Sequence, residues 1–196
     1  MKKIFLTLTI LILTFSTQIV ADTSNSIQRI YEGNKDAKVT IITYESLTCG
    51  HCADFHKNVY PQLKKEFIDA GLVKIEFRHF PLDMAALNAS KIAQCNNDGK
   101  SDILHFLFSN QKKWAIGETV ETANENLKKL LKDENIAIDF EKCTNNKNIE
   151  DYVLNDRIEG VKKFKINTTP TIIINNKKFD KPLNYKNLKK SIEKLI

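Results

Sequence analysis

Glycine and proline are scarce, six and four in 196 residues, and neither an internal repeat nor a low-complexity linker interrupts the chain. That composition indicates neither disorder nor a fibrous repeat. With 42% hydrophobic and 28% charged residues, the chain can bury the core of one domain carrying a large insertion. After the first residues no apolar run is long enough to cross a bilayer. No Ser-His-Asp order, phosphate loop or carboxylate pair stands out. A nucleic-acid footprint is also missing: Lys64-Lys65, Lys112-Lys113 and Lys162-Lys163 are interspersed with acids, as on solvated helix faces.

What is present begins with Met1-Lys2-Lys3, an apolar stretch from Ile4 to Leu13, and a small residue at Ala21. This is the layout of a secretory signal over residues 1–21. Thr14, Ser16, Thr17 and Gln18 interrupt the stretch before the roughly 20 apolar residues that an uncleaved anchor needs. Of 30 lysines and arginines, 28 would remain without Lys2 and Lys3, against 24 acids, a formal +4. Cys49, Cys52, Cys95 and Cys143 also remain, an even count that favours disulfides in an exported chain.

The β-branched run Val39 to Tyr44 predicts a buried strand leading to the first cysteine pair. Phe55, Val59, Leu63 and Phe67 recur every four residues and predict a helix with one apolar face, kinked by Pro61 and ended by Gly71. Leu72 to Arg78 alternates as a half-exposed strand does. From Leu82 to Phe164 helical periodicity dominates without a convincing strand. Thr171 to Ile174, Asn175-Asn176 and Lys177 to Phe179 predict a hairpin. Tyr185, Leu188, Ile192 and Leu195 fall on one face of a last helix. The order divides the chain into a first part at 22–81, an all-helical insertion at 82–164 and a second part at 165–196, an α/β thioredoxin fold interrupted in its middle.

Cys49-Gly50-His51-Cys52 is the strongest signal. A C-x-x-C pair at a strand-to-helix junction places its first sulfur among unpaired N–H groups at the positive end of the helix dipole. Both favour a thiolate, and His51 can add a donor or a positive charge. A more stable thiolate makes a better leaving group and a more oxidising pair. Haem attachment needs His at position 53, where Ala53 stands. Zinc needs further paired ligands, whereas Cys95 and Cys143 are solitary. An inert disulfide at this spacing is geometrically tight.

The stretch Tyr44-Glu45-Ser46-Leu47-Thr48-Cys49-Gly50-His51-Cys52-Ala53 resembles the active-site segment of DsbA-type thiol:disulfide oxidoreductases, a branch of the thioredoxin superfamily. The likeness extends to Phe77-Arg78-His79-Phe80-Pro81-Leu82, Phe140-Glu141-Lys142-Cys143 and Thr169-Pro170-Thr171, and covers residues 31 to 196. It implies that Cys49 is the exposed nucleophile and Cys52 its buried partner, with a cis Thr169-Pro170 facing them. It also implies a second cysteine pair in the insertion. As a disulfide, Cys95 and Cys143 would close a 48-residue loop, with a structural role expected and a second redox pair as the alternative. Three positions depart from the family pattern: Thr43 where a buried acid often stands six residues before the nucleophile, Gly50 in place of proline, and Asn176 in place of glycine. Glu45 shares a strand face with Thr43, opposite Tyr44, which leaves a proton-relay role open. His56 is expected on the surface, His79 and His105 in structural roles, and Trp114 in the core or groove of the insertion.

The function expected is that of a periplasmic oxidase, exported by its N-terminal signal and monomeric, which passes the Cys49–Cys52 disulfide to reduced, unfolded exported polypeptides. The family resemblance implies a membrane protein that reoxidises the pair. The chemistry requires no cofactor or metal. A disulfide isomerase or reductase is the alternative within this chemistry, and a redox-silent binding module the alternative outside it.

Overall fold

β-branched residues fill the run from Val39 to Tyr44, and in the computed structural model, which describes residues 26–196, that run is the middle strand of a five-stranded sheet. The export signal expected at residues 1–21 lies outside the described residues. In chain order the elements are β1 (Tyr31–Glu32), β2 (Val39–Glu45), α1 (Gly50–Asn58) and α2 (Tyr60–Leu63), which runs into a π-helical turn at Lys64–Ile68. Next come β3 (Val73–His79), α3 (Met84–Gln94), α4 (Asp102–Ser109), α5 (Gln111–Trp114), α6 (Val120–Asp133), α7 (Phe140–Thr144) and α8 (Lys147–Phe164). The chain returns through β4 (Thr171–Ile174) and β5 (Lys177–Lys178) to α9 (Tyr185–Ile192).

β2 pairs in parallel with β3 and antiparallel with β4, so its backbone is satisfied on both sides and both of its faces are covered. The edges are two-residue strands, β1 on β3 and β5 on β4, and Lys177 and Lys178 of β5 are exposed. At the hairpin Asn175 and Asn176 both take positive φ, 44° and 64°, which asparagine tolerates.

Strand alternation splits the core into two layers. On one face Ile41 and Ile75 pack against Phe55, Leu63 and Phe67, in a cluster that continues into Leu104, Trp114 and Leu127. On the other, Ile42, Tyr44 and Ile173 meet Phe80, Ile166 and Phe164. Thr43 and Glu45 therefore face α1, as the alternation implied. Trp114 is fully buried and its Nε1 donates to Leu107 O at 2.9 Å.

Among the described residues, Met84 to Phe164 hold six helices and no strand. This segment is nonetheless closed onto the sheet: α8 packs along β3, Glu159 Oε2 accepts from Arg78 Nη1 at 2.7 Å, and buried Asp156 pairs with Arg29 and accepts from His79 N–H at 3.1 Å.

Two expectations are corrected, and one short strand is added. Pro61 accompanies a break, not a kink. α1 stops at Asn58, Val59 turns out of helical register (φ −113°), and α2 restarts with Pro61 in its first turn, where its missing N–H has no intrahelical partner to lose. β1 was not expected, because two residues carry no periodicity. Leu195 lies beyond α9 and is exposed, so the buried face of that helix is Leu188 and Ile192.

Candidate active site

β2 ends at Glu45, and Ser46-Leu47-Thr48 carries the chain to Cys49, the N-cap of α1. Among the described residues no side chain caps this helix, so its first N–H groups are left for a ligand or a sulfur. The loop is held from several directions. Gln111 Nε2, reaching from α5, donates to Leu47 O at 2.8 Å and Cys49 O at 3.0 Å. Thr48 Oγ1 donates to Asp83 Oδ2 at 2.7 Å, and Asp83 in turn caps α3.

Cys49 is half-buried and Cys52 fully buried, and both are free thiols in this structure. The Thr169-Pro170 peptide is cis, and Cys49 Sγ lies 3.5 Å from Thr169 O. The hydroxyl of Thr169 is buried with no hydrogen-bond partner among the described residues. The Cys49 thiol is lowered from the ordinary 9.0 to about 5. A hydrogen bond from the Cys52 thiol contributes most; burial opposes it, and the backbone N–H groups of Cys52 and His51 add to it. Cys52 goes the other way. Burial, its bond to Cys49 and the charge of Glu45 push its thiol far above the ordinary range.

His51 is exposed, and its backbone N–H helps to favour the Cys49 thiolate. Among the described residues nothing stands within 4 Å of where a Cβ of residue 50 would be, so no steric demand explains Gly50. Cys95, at the end of α3, is bonded to Cys143 in α7, away from the sheet–helix junction.

His56 corrects the surface expectation. It is buried, stacked on Phe108 at 4.0 Å, with Nε2 2.8 Å from Glu45 Oε2 and Nδ1 3.0 Å from His105 Nδ1. His105 Nε2 lies 2.7 Å from Glu32 Oε1. Position four residues after Cys52, one helical turn on, was the available signal that His56 shares the buried face of α1. His79 is buried, with Nε2 3.3 Å from Gln94 Oε1. Gln111, Asp83 and Glu32 carried no signal in the sequence, since each acts across a long sequence separation.

Comparison with known proteins agrees with this geometry. The thioredoxin family description matches residues 25–194. A Rickettsia bellii protein whose name proposes a protein-disulfide oxidoreductase is 33% identical over 118 residues, 54% of this chain and 46% of its own. The chain thus spans about half the length of that relative, and about a third of its Rickettsia prowazekii counterpart, 31% of which is covered. Disulfide bond formation protein D of Bacillus subtilis is 29% identical over 179 residues, 83% of this chain and 74% of that protein. The crystal structure of α-DsbA1 from Wolbachia pipientis superposes with a TM-score of 0.74 at 30% identity, covering 85% of this chain and 90% of that one. This chain belongs to the thioredoxin superfamily and, by its likeness in sequence and fold to α-DsbA1, to the DsbA-type branch of it.

Proposed function

We propose that this protein is an oxidase of exported polypeptides, with Cys49 as the exchanging sulfur, Cys52 as its internal partner and Thr169-Pro170 as the backbone that receives the client. One observation carries the reading. Two thiols on one helical turn are driven apart, Cys49 down to about 5 and Cys52 far up. A sulfur so stable as a thiolate is a good leaving group, which weakens the disulfide and makes the pair a strong acceptor of electrons.

In the oxidised protein a client thiolate attacks Cys49 Sγ. The Cys49–Cys52 bond breaks, its electron pair goes to Cys52, and Cys52 takes up a proton. A second client thiolate then attacks the client sulfur of the mixed disulfide and expels Cys49 as thiolate. The client loses two electrons, the pair gains them, and one proton stays on Cys52. No cofactor or metal enters this exchange. A membrane-bound oxidant would restore the pair, and the periplasm is the setting that both the expected signal sequence and a stable disulfide call for. His51 would line the entry with its exposed side chain, and Cys95–Cys143 would stabilise the fold without turnover. A groove beside the pair, lined by Phe55, Val59, Leu183 and Tyr185 together with Thr169 and Pro170, offers an extended client apolar contact next to a free backbone edge.

The test is to mix oxidised protein with a reduced peptide bearing two cysteines, then to titrate the pair against glutathione. Peptide oxidation with a potential well above about −200 mV supports the oxidase. A value near about −270 mV supports the reductase alternative.

A further inference from the structure

One side chain of the helical segment reaches across to the active-site loop and is buried where it lands. Gln111, 9% exposed, is the first residue of α5. Its Nε2 carries two hydrogens, and both serve the loop: it donates to Leu47 O at 2.8 Å and to Cys49 O at 3.0 Å. Leu47 is itself buried, and among the described residues its carbonyl has no other donor. Cys49 O also receives the N–H groups of Cys52 and Ala53, at 3.1 and 3.2 Å, the hydrogen bonds that close the first turn of α1. The amide of Gln111 therefore grips the chain two residues before the sulfur and again at the residue that bears it.

The arm that places this amide is stiff. α4 ends at Ser109 and α5 begins at Gln111, and the corner between them is tied by Asn110 Nδ2 donating to Phe106 O at 3.0 Å and by Ala115 N–H donating to Gln111 O at 2.8 Å. Trp114, fully buried in the same short helix, fixes the corner in the core. An amide held in this way acts on the loop twice. It sets the peptide planes before Thr48 and after Cys49, and with them the direction in which α1 starts. It also turns the positive end of its own dipole toward the residue that bears the sulfur, in a site from which water is largely excluded. Both effects favour a negative Cys49 Sγ over a neutral one, in the same sense as the N–H groups of His51 and Cys52.

We infer that Gln111 is a positioning residue for the exchange: by clamping Leu47 O and Cys49 O it holds the first turn of α1 with its N–H groups turned to Cys49 Sγ, and the helical segment thereby sets how oxidising the pair is. The inference rests on the exchange chemistry proposed above. Gln111 touches no client and takes no proton; it acts through the loop. Without its two donors Leu47 O is left buried and unpaired, and the loop must move to satisfy it or carry the cost of an unmade hydrogen bond. Either way the first turn loses its fixed aim at the sulfur. The Cys49 thiolate then becomes less stable, a poorer leaving group, and the disulfide correspondingly harder to reduce.

The experiment compares the parent with Gln111→Met, which keeps the length and bulk of the side chain but has no donor, by two readouts. The first is the thiolate absorbance of the reduced protein as a function of pH; the Cys49 midpoint, about 5 in the parent, should rise by about one unit. The second is the equilibrium with glutathione. At pH 7 the variant should hold about tenfold more disulfide than the parent at the same glutathione ratio, because one unit of thiolate stability is a factor of about ten there. The sign is that of a thiol whose folded value is lowered: the effect is present above the midpoint and is lost as pH falls through it, so the tenfold gap should close by pH 4. Gln111→Ala should shift both readouts in the same direction and serves should the methionine protein not fold. A folded variant that melts earlier but keeps the parental midpoint and glutathione equilibrium would make Gln111 a structural residue alone and overturn the inference. So would a gap that persists undiminished at pH 4, which would place the effect on the disulfide and not on the thiolate. A parent protein that does not exchange with glutathione at all overturns the redox reading of Cys49 and Cys52, and this inference with it.

Discussion

At the scale of the residue, the reactivity of this pair is governed by where each sulfur holds its proton. Cys49, lowered to about 5, should react with iodoacetamide in the reduced protein along a single titration centred near that pH, while Cys52 stays unlabelled through pH 9; mass spectrometry of the digested protein distinguishes the two. Equal labelling would remove the assignment. The same displacement bears on stability. A thiol whose folded-state value lies below the ordinary 9.0 stabilises the reduced fold fully above that pH and ceases to do so as pH falls through about 5. The melting temperature of the reduced form should therefore decline relative to the oxidised form as pH is lowered from 9 to 5. Much of this was legible from the sequence, because a C-x-x-C following a β-branched run fixes its own surroundings within a few residues. His56 and Glu45 were not, since their meeting depends on which way α1 lies on the sheet.

At the scale of the element, a clear period located strands and helices but did not fix where a helix breaks or ends. β2, β3 and the Asn175-Asn176 hairpin declare themselves through branching, alternation and turn chemistry. β1, two residues long, exists only because β3 leaves an edge for it to pair with. The break at Val59 shows the same limit: proline predicts a disturbance in a helix but not how the chain absorbs it. The contact between α8 and the sheet was likewise beyond the sequence, and it hinges on Gly160. A Cβ there would stand 2.8 Å from Tyr44 Cε1 and 3.2 Å from Ile166 Cδ1, both in buried side chains. In an exposed helix, replacing glycine with alanine gains about 1 kcal/mol. Here the overpacking costs more, and Gly160→Ala should lower stability by about 1–2 kcal/mol in urea denaturation. An unchanged or raised midpoint would mean that α8 can move away from Tyr44.

At the scale of the whole molecule, the helical segment and the sheet share one core, so a bond inside the segment constrains the entire fold. Cys95 and Cys143, 48 residues apart, join α3 to α7, and a loop of that length corresponds to about 4 kcal/mol in the chain-entropy account. The double variant Cys95→Ala, Cys143→Ala should melt at a markedly lower temperature, in a single transition because Ile41, Trp114 and Leu127 belong to one cluster. It should still oxidise a dithiol peptide. Two separated transitions would show the segment to be an independent unit, and loss of oxidation in a folded variant would give this second pair a part in turnover.

The short rims of the sheet bear on the company the protein keeps. An unfolded chain carries unpaired amide and carbonyl groups and adds readily to any open strand. Here one rim offers two residues and the other two lysines, so neither gives an incoming chain length or apolar contact along which to extend. The backbone before Pro170 is left as the inviting stretch, beside the sulfur, and under the proposed exchange an attached chain would leave it once its own cysteines had paired. A protein acting on unfolded chains, as proposed, would thereby be kept from becoming the seed of an aggregate.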